Sequence, residues 1–92
     1  MKAPIYFKWP GKIWILSDPH FGDNGILKFE RTQFENITVH DSYIINKINQ
    51  KINKGDTIVF LGDMGYSWKD NLNKIKDDIY KVLILGNHDR EP

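Results

Sequence analysis

The 92-residue sequence contains no cysteine, which excludes a disulfide framework and any thiolate metal site. It has no run of 18 apolar residues, so a membrane-spanning helix is not expected. The opening MKAPIYFKWP lacks the apolar core of a secretory leader. An excess of one charge is lacking too: 13 Lys and Arg meet 12 Asp and Glu, for a net charge of +1. That balance excludes the strong basic footprint of a nucleic-acid or membrane-surface binder. Repeats and low-complexity linkers are absent. The expectation is one domain over residues 1–92, in the cytoplasm of a bacterium or of a virus-infected cell. A chain of this size buries roughly 60–65% of its unfolded surface, which leaves a thin stability margin.

What is present is a series of short apolar segments separated by helix signals. PIYFKWPGKIWILSD reads as two strands around a Pro10-Gly11 turn, proline setting the first turn position and glycine accepting the second. The second strand, Ile13 to Ser17, is almost wholly apolar and suits coverage on both faces. PHFGDNGILKFERTQFENI reads as a loop with one helical turn. TVHDSYIINKINQKINKG is a helix, with Thr38 and Asp41 as a capping box, an apolar stripe of Ile44, Ile45, Ile48 and Ile52, and Gly55 as its stop. His40, in its first turn, reads as a surface residue.

DTIVFLGD is a second buried strand, and SWKDNLNKIKDDIY a second helix, capped by Ser67 and Asp70 with Trp68, Leu72, Ile75 and Ile79 facing the core. KVLILGNHD is the third strand. Alternation of this kind predicts an α/β fold, a small parallel-sheet βαβαβ core with an N-terminal hairpin strand. Right-handed crossovers then bring all three strand ends to one edge. The aromatic residues Phe7, Trp9, Trp14, Tyr66 and Trp68 read as packing.

Open α/β sheets bind ligands outside the carboxyl ends of their strands. Each of the three ends carries metal-binding chemistry: Asp18 and His20, then Asp63, then Asn87, His88 and Asp89. A single Asp after a strand is ordinary turn chemistry. Three such groups, one closing each strand, point instead to a shared site. Carboxylate, imidazole and amide oxygen suit Mn, Fe, Zn or Ni better than Ca or bare Mg.

SDPHFG, LGDMG and LGNHD resemble, in order and spacing, the first three motifs of the calcineurin-like metallophosphoesterases. HFGDNGILKFERTQF also resembles a small phage and bacterial branch of that family. The resemblance implies half of a two-sheet sandwich and a centre of two divalent metal ions. It implies that Asp18 and His20 bind one ion, Asp63 bridges both, and Asn87 binds the other. His88 would act on the leaving group or the phosphoryl, with Asp89 orienting it. Asp23 stands where close relatives carry histidine, in contact with a ligand rather than with metal. The implied chemistry is hydrolysis of a phosphomonoester or phosphodiester by a metal-activated water, with nucleic acid entering only as a substrate.

The family pattern continues into a second half that supplies further histidines, and this sequence does not contain it. One half alone leaves a sheet face uncovered, which predicts self-association, a partner protein over that face, or a fragment of a longer protein. Two functions are therefore carried forward. One is a metal-dependent phosphoesterase, the other a binding protein, of viral origin for example, that keeps the fold without turnover.

Overall fold

Three five-residue strands form the sheet, β1 (Ile13–Ser17), β2 (Thr57–Leu61) and β3 (Tyr80–Ile84), and the computed structural model describes residues 11–86. The expected N-terminal hairpin strand lies outside the described residues. β2 is central and pairs in parallel with both neighbours, so that Ile15, Val59 and Val82 form one cross-strand row. Between β1 and β2 the chain forms α1 (Asn24–Phe29) and α2 (Ile37–Lys51), and between β2 and β3 it forms α3 (Trp68–Leu72). The α/β fold and the parallel βαβαβ order expected from the sequence are both present.

Strand periodicity explains where the core sits. Alternate residues point to opposite faces. Ile58 and Phe60 of β2, with the partly buried Trp14, Leu16 and Leu83, meet Ile45, Ile48 and Ile52 from α2. Leu72, Ile75 and Ile79 close the same core from the α3 side. Both crossovers thus cover one face, giving two layers.

The other face is open. Ile13 and Ile15 in β1 and Tyr80 and Ile84 in β3 are exposed, with Ile15 at 67%. β1 is therefore covered on one face rather than two, which corrects the reading of its apolar run. Among the described residues no helix is long and apolar enough to cross a membrane.

Helix limits also moved. α2 is capped by Asn36, whose side chain accepts from the Val39 amide, so the helix begins before the Thr38 box expected for it. Asp41 is released from that capping role and points inward. α3 is a single short turn: Ser67 makes no side-chain cap hydrogen bond, and a turn leads into β3 at Tyr80. Ile75 and Ile79 still reach the core, from turns rather than a helix.

Candidate metal centre

The loops that follow β1 and β2 extend the parallel pairing beyond the strands. The Asp18 amide donates to the Leu61 carbonyl at 3.1 Å, His20 to Asp63 at 3.0 Å and Phe21 to Met64 at 2.8 Å. The Gly62 amide donates to the Ile84 carbonyl at 2.7 Å, tying in the end of β3. Phe21 and Gly65 form a further parallel bridge. Gly65 is obligatory there: at φ +94° a Cβ would run into the backbone of Phe21. The loops carrying candidate ligands are thus pinned by the backbone that builds the sheet.

Within these pinned loops the backbone is strained at particular residues. Among the described residues, the non-glycine positions with positive φ are Asp18 at 51°, His20 at 53° and Asp63 at 35°. A left-handed conformation costs an L-residue about 1–2 kcal/mol, least for Asp and Asn. Such strain persists only where the surroundings enforce it, and it concentrates at functional sites. The three residues are the ones the sequence singled out at the first two strand ends.

Strain redirects their side chains. A Cβ placed on Gly62 would lie 3.5 Å from Asp18 Oδ1, and one on Gly86 would lie 3.5 Å from Asp63 Oδ1. Each carboxylate therefore lies over the glycine that ends the neighbouring strand, at a distance where a Cβ would make ordinary van der Waals contact with it. Neither carboxylate accepts a hydrogen bond from the described residues that the structure records. His20 is placed by Asp23, whose Oδ2 lies 3.1 Å from Nδ1, while its Oδ1 accepts the Gly25 amide at 3.0 Å and caps α1. With Nδ1 turned to a carboxylate, Nε2 is the ring nitrogen left for a further partner, a pairing found in metal-binding imidazoles.

Asp18, His20 and Asp63 are brought to one edge of the sheet, as expected. Asn87, His88 and Asp89 lie outside the described residues. Among the described residues no three His, Asp or Glu side chains converge closely enough to hold a metal ion. The donor chemistry fits a divalent ion; the described candidate ligands are a partial set.

A second group of residues at this edge was misread or passed over. His40 is fully buried rather than on the surface: its ring meets Phe34 edge-on at 5.2 Å, and its nitrogens contact Arg31 and Asp41. Arg31 donates to the carbonyls of Asp18 at 2.7 Å and Pro19 at 2.9 Å. A signal for it was available, since the sequence uses eleven lysines and only two arginines. An arginine in so lysine-rich a chain marks a place that needs a planar fork of donors. An open cleft of about 240 Å³ lies beside this group, bounded by Asp18, Arg31, Phe34, His40 and Tyr43.

Comparison with known proteins gives the family of the chain. The profile of the family described as calcineurin-like phosphoesterase matches residues 11–92. An uncharacterized protein of Methanocaldococcus jannaschii is 31% identical over 84 residues, covering 86% of this chain and 47% of that protein. The crystal structure of a protein of unknown function from Aquifex aeolicus superposes with a TM-score of 0.68 at 23% identity, over 88% of this chain and 45% of that one. The chain spans about half the length of these relatives.

Proposed function

The chain belongs to the calcineurin-like phosphoesterase family, and from that premise we propose that it contributes the first half of a divalent-metal phosphoesterase centre. The observation that carries the reading is the coincidence of strain with ligand chemistry: left-handed backbone falls on Asp18, His20 and Asp63. In this reading Asp18 and His20 would hold one ion, Asp63 would be shared with a second, and Asn87 would serve that second ion. His88 would act on the leaving group or the phosphoryl, with Asp89 orienting it. Asp23 keeps the His20 proton on Nδ1, so that Nε2 is free to ligate. Manganese, iron, zinc or nickel suits this mixed oxygen and nitrogen set. When bound, such ions supply positive charge against that developing on the phosphoryl oxygens.

The half-set of ligands and the open sheet face belong together in this proposal. A second copy of the chain, a partner protein or a further segment packed on Ile13, Ile15, Tyr80 and Ile84 would cover apolar surface and could complete the coordination. The substrate is a phosphate ester. Hydrolysis of p-nitrophenyl phosphate and its bis-ester with Mn²⁺ tests the reading, wild type against Asp63→Asn. Asparagine tolerates the left-handed backbone of Asp63, so the substitution removes charge without refolding the loop. Turnover lost in the variant supports the proposal. Equal rates in both forms would sink it, and a protein partner held equally well by both would favour the binding reading.

A further inference from the structure

Behind the strained loop, the half-buried Arg31 and the buried His40 and Asp41 form a hydrogen-bonded chain with a fixed direction. Arginine can only donate. Arg31 Nη1 lies 2.8 Å from His40 Nε2, so this nitrogen accepts and the His40 proton sits on Nδ1. Nδ1 in turn donates to Asp41 Oδ1 at 2.8 Å. The second oxygen of Asp41 accepts the Gly22 amide at 2.9 Å and the Asn71 amide at 3.3 Å. The order is therefore Arg31 to His40 to Asp41, a cation and an anion joined by a neutral ring.

Both ends of this chain grip one loop. Arg31 holds the carbonyls of Asp18 and Pro19, and Asp41 holds the amide of Gly22. His20 lies between these anchor points. Positive φ recurs at Asp18, His20 and Gly22, every second residue of the gripped segment. Arg31 is also the group that turns two successive carbonyls toward a single guanidinium, a geometry that lysine cannot reproduce. His40 and Asp41 occupy adjacent positions in the first turns of α2 and are both buried.

We propose that Arg31, His40 and Asp41 are positioning residues: together they hold the Asp18–Gly22 loop in its left-handed conformation and so set Asp18 and His20 at the spacing a metal ion needs. The loop-holding part of this proposal stands on contacts in the chain itself, whereas its purpose rests on the metal reading above. None of the three is among the candidate metal ligands. They act through the backbone of the ligand loop, and the role does not depend on which ester is cleaved.

Amide hydrogen exchange on the metal-free chain separates the two layers. Loss of a hydrogen bond to a charged group corresponds to about a tenfold rise in local opening. In Arg31→Ala the amides of His20 and Gly22 should exchange about tenfold faster, with those of Ile58 and Phe60 unchanged. Added guanidinium ion at sub-denaturing concentration should slow them again, and Arg31→Lys should fall between the two. His40→Phe keeps a ring against Phe34 but cuts both hydrogen bonds, and should show a similar, loop-limited acceleration. Mn²⁺ affinity should fall about 10- to 100-fold in Arg31→Ala and recover with guanidinium. Unchanged exchange at His20 and Gly22, or acceleration spread evenly through β2, overturns the inference. Failure of the wild type to bind Mn²⁺ would overturn the metal reading instead, since the exchange comparison is made without metal.

Discussion

The two ends of the sheet use aspartate in opposite ways. At the end where β2 begins, Asp56 is buried and accepts from the Lys12 amide at 2.9 Å, the Trp14 indole at 3.1 Å and the Asn53 amide at 3.1 Å. It knits the start of β1 to the turn before β2, and these donors hold its carboxyl below the usual carboxylate range. At the end where the strands finish, Asp18 and Asp63 occupy left-handed backbone, and their carboxylates accept nothing from the described residues that the structure records. One end satisfies its carboxylate and stabilises the fold. The other accepts strain, and its carboxylates have no recorded donor among the described residues. The difference teaches where stability ends and function begins on the same three strands.

Substitution at each end sharpens that contrast. Asp56→Ala strands two backbone amides and an indole, and should give the larger loss of stability of the two ends, seen as a sharply lower urea midpoint. Asp63→Asn, at the other end, should leave that midpoint within the ordinary range for surface changes, about 0.5 kcal/mol. Its effect should fall on Mn²⁺ binding instead, weakened by roughly two orders of magnitude or more as a bridging charge is lost. An Asp63→Asn chain that loses stability as Asp56→Ala does would break the comparison.

Smaller effects test the same division. Asp23→Ala removes both the His20 contact and the α1 cap. It should weaken Mn²⁺ binding about tenfold and cost about 1 kcal/mol in unfolding experiments. Acid should act through Asp56. Its folded-state value is lowered, so its contribution is complete above the unfolded value of 3.8 and is lost as pH falls through the lower folded one. Thermal unfolding followed between pH 5 and pH 2 should show that decline, and Asp56→Asn should flatten it. Least of all, Ile15→Ala on the open face should shift the stability of the chain by itself by no more than about 0.5 kcal/mol. Phe60→Ala on the covered face should cost about 3–5 kcal/mol.

Much of this was legible because the signals were local. Strand order followed from alternation of apolar runs and helix patterns, and the placement of Asp18, His20 and Asp63 followed from their position just past those runs. What was not legible depended on contacts far apart in sequence. Asp41 read as a capping residue because Thr38 stands three positions before it. Asn36 took that role, and Asp41 turned instead toward Gly22 and Asn71. His40 read as surface because a lone histidine in a first helical turn normally is. Arg31, nine residues earlier, joins Phe34 and Asp41 in giving it a reason to be buried. α3 was overextended because Ile75 and Ile79 keep helical spacing while reaching the core from turns. β1 looked doubly covered because Ile13 and Ile15 are apolar, yet both are exposed on the face that no helix crosses.

The central claim, that strained backbone at the strand ends holds ligands ready for metal, is tested most directly by calorimetric titration of Mn²⁺ into the chain, with its mass followed by light scattering in the same buffer. The account predicts micromolar binding of one or two ions per chain, lost in Asp63→Asn. No heat at millimolar Mn²⁺, from a chain shown to be folded, would contradict it.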